Sequence, residues 1–330
     1  MTLTVPCLFG LESLVADEMK RLQLKNIRAE NGRVHCDGTM ADIARLNINL
    51  RCGARVLMEL GSFPAPDFEA LFQGVLALPW EDYIPKDGEF PVKGYSINST
   101  LHSVPACQAI VKKASARRLG DVYGCETLPE TGSRYQIQFA IIKDVATLYL
   151  DTSGDGLYKR GYRARNMGAP LRETMAAAMV TLSRYRGKDP FCDPFCGSGT
   201  IPIEAALIAK NRAPGLDRSF SAQKWKNMDS KLWLDAGDEA MDKEFHGTYD
   251  IWGGDIDPAA IELARHNAEL AGVELYRVFG RAVRDLPPKW RVLVLSSHTE
   301  FERCFGKPAD KKRKLYNGML KCDVFMYGGR

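Results

Sequence analysis

The stretch Asp193-Pro-Phe-Cys-Gly-Ser-Gly-Thr200 constrains this chain more than any other. It follows an apolar lead-in, Asp189 to Asp193, and opens the run Ile201-Pro-Ile-Glu-Ala-Ala-Leu-Ile-Ala209. That run is rich in helix formers, and its apolar positions recur at helical spacing. The order is therefore strand, tight turn, helix. Gly197 and Gly199 remove side chains where the backbone turns sharply and comes close to a ligand. The N–H groups that start the helix stay free for polar or anionic ligand atoms. No Lys follows Gly199, so this is not a Walker A phosphate loop. Gly197-Ser-Gly199 runs on into Thr200-Ile-Pro202, so the dinucleotide spacing Gly-x-Gly-x-x-Gly is also unmet. An Asp that opens the turn suits a ligand carrying an amine.

A second strand signal lies in Tyr249-Asp-Ile-Trp-Gly-Gly-Asp-Ile-Asp257. In a doubly wound sheet ligands sit at the carboxyl ends of the strands, where strand order reverses. A carboxylate at the end of this second strand can accept both hydroxyls of a ribose. Asp255 is the first choice for that role and Asp257 the second, with Ile256 placed to pack on an adenine face. Pro258 opens the following helix and Gly272 stops it. Ala169 to Met179 begins another helix, with Pro170 near its first turn.

Residues 1 to about 60 read as a small α/β unit. Leu11, Leu14, Val15, Met19 and Leu22 share one helix face, Asn31-Gly32 is a hairpin turn, and Met40 to Leu50 is a second helix. Phe63-Pro-Ala-Pro66 reads as a linker to a second α/β module. There Phe68 to Leu76 and Pro105 to Val122 are helical, and Pro91 to Ile97, Tyr135 to Ile141 and Val145 to Leu150 are strand-like. The long helix carries Lys112, Lys113, Arg117 and Arg118, with no acidic residue between Pro105 and Leu119. Such a cluster is either a solvated helix face or a seat for a phosphate backbone. The joining segment Asp151 to Arg163 interleaves Tyr158 and Tyr162 with Lys159, Arg160 and Arg163. It is either a charged linker or a place for stacked bases and phosphates. Ala213 to Asp242 is an insertion whose Trp225 and Trp233 suit core or domain packing.

With 330 residues, 45% hydrophobic and 26% charged, the chain has globular composition and room for two or three domains. No apolar run is long enough to span a membrane, and the start lacks a signal-peptide pattern, so a soluble cytoplasmic protein is expected. The nine Cys include no Cys-x-x-Cys pair and show irregular spacing. Free thiols in a reducing compartment and no metal site are expected. A net charge of +4 permits nucleic-acid binding without requiring it.

The segment from Asp193 to Ala206 resembles the S-adenosylmethionine (SAM) loop of the THUMP-containing class I methyltransferases. That family includes the bacterial large-subunit (23S) rRNA guanine-N2 methyltransferases. Asp151-Thr-Ser-Gly-Asp-Gly-Leu-Tyr-Lys-Arg-Gly-Tyr-Arg163 also resembles a family signature, and the resemblance covers nearly the whole chain. It implies an α/β protein with N-terminal ferredoxin-like and THUMP modules and a C-terminal Rossmann-like class I methyltransferase sheet. The implied boundaries are a ferredoxin-like unit at 1–62, a THUMP RNA-binding module at 63–150, a basic linker at 151–168 and the methyltransferase domain at 169–330. SAM is implied as cofactor, held by Arg172, Glu173 and Thr174, by Asp193, Pro194, Phe195, Cys196, Gly197, Ser198, Gly199 and Thr200, and by Asp255, Ile256 and Asp257. RNA is implied as partner, met by Lys112, Lys113, Arg117, Arg118, Lys159, Arg160, Tyr162 and Arg163.

One departure stands out. The family's fourth strand ends in Asn-Pro-Pro-Tyr or Asp-Pro-Pro-Tyr, which holds the target base, and no such motif occurs here; Pro287-Pro288 sits between Leu286 and Lys289. After Val273-Glu274 the sequence passes directly to Leu275-Tyr-Arg-Val-Phe-Gly-Arg-Ala-Val-Arg284, which resembles a later family helix. At least one strand-helix-strand unit, ~30 residues or more, is then unaccounted for. Either the sequence as read omits it, which the intact flanks favour, or the protein is an RNA binder with an inactive methyltransferase fold. No catalytic residue is assigned, and N6-adenine methylation of DNA or RNA is the alternative chemistry.

Overall fold

The computed structural model describes residues 1–163, 171–273, 276–277, 291–297, 301–305, 307–317 and 320–328. Ala169 and Pro170 of the expected helix start, Glu274, Leu275 and Pro287-Pro288 fall outside these.

The N-terminal half is one seven-stranded sheet with helices packed on it. Its elements are β1 (Thr2–Pro6), α1 (Glu12–Arg21), β2 (Lys25–Glu30), β3 (Arg33–Asp37), α2 (Met40–Asn49), β4 (Leu57–Pro64), α3 (Phe68–Leu76), β5 (Val92–Ile97), α4 (Val104–Tyr123), β6 (Ile137–Ile142) and β7 (Val145–Asp151). Strand order is β2-β3-β1-β4-β7-β6-β5, and only β5 and β6 run parallel to each other. Local signals place several ends. Thr39 and Asp42 form a reciprocal cap at the start of α2, and the Asp67 side chain caps α3. Asn31-Gly32 turns β2 into β3, with Gly32 at φ +75. Alternate residues, among them Leu3, Val5, Val34, Phe139 and Leu148, are fully or almost fully buried in the core.

The linker expected at Phe63–Pro66 is instead the end of a strand. Phe63 pairs with Ala146 and Pro64 with Val145, after an irregularity near Gly61. The two N-terminal modules therefore share one sheet, a pairing with residues over eighty positions away that local composition does not disclose.

The C-terminal half contains α5 (Glu173–Leu182), β8 (Phe191–Asp193), α6 (Thr200–Ala209), α7 (Ser230–Met241), β9 (Ile251–Gly253), α8 (Pro258–Leu270), β10 (Tyr276–Arg277), β11 (Val292–Ser296), α9 (Phe301–Phe305), β12 (Lys311–Asn317) and β13 (Leu320–Tyr327). Among the described residues β10, β9 and β8 form a parallel sheet that ends at β8, and β11-β13-β12 is a separate antiparallel sheet. Tyr276 and Arg277, expected in a helix, pair instead in parallel with Trp252 and Gly253 of β9. The rest of that expected helix lies outside the described residues.

Two straps tie the halves together. The insertion at 213–242 lies along the N-terminal half: Trp225 stacks on Tyr135 at 5.1 Å between ring centroids, its Nε1 donates to Arg134 O at 2.9 Å, and Arg45 donates to Glu239. Phe220, Trp225 and Trp233 are buried in the same core as the seven-stranded sheet, the packing role expected for the two tryptophans. The second strap is the β12–β13 hairpin, where Arg313 Nε donates to Gly10 O at 2.9 Å and Leu315 is fully buried. None of the described helices is long and apolar enough to cross a membrane.

Candidate functional site

The site forms where β8 and β9 end. Asp193 pairs with Gly253 across the two strands, so the turn after β8 and the turn after β9 lie side by side. Hydrogen bonds lock the two turns together: Gly254 N donates to Asp193 O at 2.9 Å and Cys196 N to Gly254 O at 2.8 Å. The loop then closes on itself, with Gly199 N donating to Cys196 O at 2.8 Å. Both loop glycines take positive φ, +52 at Gly197 and +83 at Gly199. A Cβ on Gly199 would stand 2.9 Å from Ala264 Cβ of α8, so the helix approach itself demands glycine there. Among the described residues a Cβ on Gly197 would meet nothing within 4 Å, which puts that turn on the open side of the site.

Two carboxylates face this opening. Asp193 accepts from Phe195 N at 3.1 Å. Asp255 accepts from Gly197 N at 2.9 Å through one oxygen and from Asp257 N at 3.0 Å through the other. Each Asp255 oxygen keeps a lone pair for a ligand hydroxyl. Burial, and secondarily the negative charge of Asp255, raises the Asp193 carboxyl to about 6. A cationic ligand group would relieve both penalties. Burial together with these carboxylates pushes the Cys196 thiol up to about 12, so it stays protonated and unreactive. Beside the carboxylates, Phe195 is 81% exposed and Ile256 99% exposed, two apolar side chains that stand largely open.

Not every residue expected here faces the opening. Asp257 caps α8, accepting from Ala259 N at 2.9 Å, so Asp255 is the better placed of the two for a ribose. Glu173, Thr174 and Thr200 are buried. Arg172 is exposed, with its guanidinium 5.2 Å from the Tyr158 ring. Ser198 lends its carbonyl to Asn267 Nδ2 at 2.9 Å, which anchors the loop to α8.

The basic residues need larger corrections. The α4 face is not unpaired, because acids reach it from distant segments and from the last turns of α4 itself. Lys112 donates to Glu130 at 2.6 Å and to Phe90 O at 3.2 Å, Arg118 pairs with Glu81, and Arg117 lies 3.9 Å from Asp121. Lys113 and Arg117 are the exposed members. In the joining segment Lys159 is exposed and pairs with Asp155, whereas Arg160 and Tyr162 are each only 4% exposed. Arg160 donates to Leu157 O at 2.7 Å, to Leu50 O at 3.3 Å and to Arg51 O, and lies 3.4 Å from Glu204; Tyr162 donates to the same Glu204 oxygen at 3.1 Å. Arg163 donates to Leu171 O and to Thr200 Oγ1. These side chains brace the protein interior, and burial leaves Arg160 and Tyr162 no surface for a nucleic acid.

Sequence reasoning missed Glu204, which is fully buried in α6. Its signal was present: a single charge inside the apolar run Ile201 to Ala209 has to be paired internally if that helix is buried.

Three comparisons bear on this arrangement. Family models match at residues 2–57 (RlmL ferredoxin-like domain), 65–151 (THUMP domain) and 160–274 (RMKL-like, methyltransferase domain). The chain is 37% identical to the Bacillus subtilis protein named "Putative RNA methyltransferase YpsC", over 99% of this chain and 95% of that one. That alignment spans 369 positions against 330 residues here, so about forty positions of the relative face no residue of this chain. The chain is also 29% identical to the "Ribosomal RNA large subunit methyltransferase K/L" of Psychromonas ingrahamii, over 98% of this chain but only 49% of the relative, and thus spans about half its length. Among solved structures, SMU.472 complexed with SAH superposes with a TM-score of 0.90 at 37% identity, covering 100% of this chain and 98% of the other.

Proposed function

The chain belongs to the RMKL-like methyltransferase family that carries a ferredoxin-like unit and a THUMP domain, and from that premise we propose that it is a SAM-dependent RNA methyltransferase acting in the cytoplasm on guanine N2 of 23S rRNA. The observation that carries the reading is the paired turn after β8 and β9: an acidic, glycine-opened site joined through two straps to a THUMP half.

The residues present fit the cofactor. SAM supplies a methyl group on a cationic sulfonium. Asp193 receives its amine, an assignment favoured by a carboxyl that burial and Asp255 hold near 6. Asp255 accepts the ribose hydroxyls with its remaining lone pairs, and Phe195 and Ile256 cover the adenine. Methyl transfer in line needs alignment more than acid–base help, so the fixed loop is what this chain contributes to the donor side. A guanine held in a helix has to leave its stack to reach the donor. On the RNA side the exposed cations Lys113, Arg117 and Lys159 remain as backbone contacts.

A second reading is favoured by three observations. The chain lacks an Asn/Asp-Pro-Pro-Tyr motif, the methyltransferase match stops at Glu274, and the parallel sheet ends at β8 among the described residues. On that reading the chain binds SAM and RNA without transferring methyl. The test is incubation of the protein with unmodified 23S rRNA transcript and methyl-labelled SAM, followed by nucleoside analysis. Label in N2-methylguanosine supports the proposal, label in N6-methyladenosine assigns adenine instead, and RNA binding without label assigns the second reading.

A further inference from the structure

Helix α6, whose first turn borders the site, is gripped along its length by three arginines from outside the helix. Arg51, just after α2, donates to Leu207 O at 3.4 Å and to Arg212 O at 2.8 Å, at and beyond the helix C-terminus. Arg160 lies against Glu204 at mid-helix while holding Leu50 O and Arg51 O of the N-terminal unit. Arg163 reaches the N-terminus, donating to Thr200 Oγ1 at 2.9 Å, to Leu171 O at 3.0 Å, and standing 3.4 Å from Glu173. Thr200 is the first residue of α6 and Glu173 the first of α5. One guanidinium therefore links two helix starts at once.

We propose that Arg163 is a positioning residue for the cofactor loop, supported by Tyr162, Glu204 and Arg160, and that it makes no contact with RNA. This rests on the cofactor reading above. The physical reason is geometric. The direction of the free N–H groups at the start of α6 follows the orientation of its first turn. All three contacts converge on Arg163 Nη2, whose two N–H bonds lie fixed in the guanidinium plane and serve Thr200 Oγ1 and Leu171 O beside the Glu173 carboxylate, a direction that the freely rotating ammonium of a lysine does not fix.

The experiment compares Arg163→Lys with the wild-type chain, using calorimetry with SAH and binding of unmodified 23S rRNA transcript at several salt concentrations. The Lys variant keeps the charge and loses the planar, directed Nη2 group. SAH affinity is expected to fall about tenfold, the scale of one charge-assisted hydrogen bond, with RNA affinity and its salt slope unchanged. A phosphate contact would do the reverse, leaving SAH binding intact and flattening the salt slope by about one unit; that result overturns the proposal. Parallel losses of both ligands with a lowered melting temperature also overturn it, because they would mark a merely structural residue. Tyr162→Phe removes only the hydroxyl that Glu204 accepts, so it should weaken SAH binding in the same direction by less, and unchanged SAH binding there removes the supporting role of Tyr162. If the wild-type chain itself fails to bind SAH, the cofactor reading falls and this inference with it, an outcome distinct from equal binding by both proteins.

Discussion

Cofactor affinity should depend on pH through Asp193. Burial and the neighbouring Asp255 raise this carboxyl from 3.8 to about 6 in the free protein. An ammonium or sulfonium at the site stabilises the ionised form, so binding competes with protonation. If only the carboxylate binds, the apparent Kd rises with the protonated share of the free protein. Relative to pH 8, affinity should fall about twofold at pH 6 and about tenfold at pH 5. Titration of SAH by calorimetry from pH 5 to 8, in two buffers of different ionisation enthalpy, reads both the affinity and the proton count. Near pH 6 about half a proton should be released per SAH bound. Asp193→Asn should bind more weakly at pH 8 and lose most of this dependence. Folding has the opposite sign. The folded protein holds this proton more tightly than the unfolded chain does, so the group favours folding as pH falls through 6 toward 3.8. A wild-type affinity that is flat from pH 5 to 8, or an Asn variant with an undiminished dependence, would refute the reasoning.

Three further outcomes follow from the packing. Gly10→Ala should destabilise the fold by about 1–3 kcal/mol in urea unfolding, because Gly10 has φ +92 and its Cβ would stand 2.6 Å from Lys314 O of the hairpin strap; a loss under ~0.5 kcal/mol would mean that the strap yields freely. Glu204→Gln leaves the buried Arg160 guanidinium without its carboxylate partner and should cost about 3–5 kcal/mol in the same assay. Lys113→Ala combined with Arg117→Ala should weaken binding of 23S rRNA transcript and reduce the salt slope by about two units, with SAH affinity as the unaffected control; an unchanged slope would remove α4 from the RNA surface.

What could be read without the structure was local. The turn at Gly197 and Gly199, the hairpin at Asn31-Gly32 and the limits of α3 depend on a few neighbouring residues. Backbone torsion and capping act over three or four positions. The Asp193–Thr200 octet thus carried its own conformation, and with it the location of the site at a strand end. The pairing of charges was not legible. Glu130 meets Lys112 and Glu81 meets Arg118 across gaps of 18 and 37 residues, so an acid-free helix face in the sequence became a paired face in space. Arg160 and Tyr162, basic and aromatic like an RNA contact, turned inward because Glu204, 44 and 42 residues away, was buried beside them. The strand at Phe63–Pro64 likewise exists only because β7 offers its edge. Sequence by itself determined where the chain turns and which ends could meet a ligand. Tertiary structure alone decided which charges are spent on one another, because a buried charge takes whichever partner the packing brings within reach, at any distance along the chain.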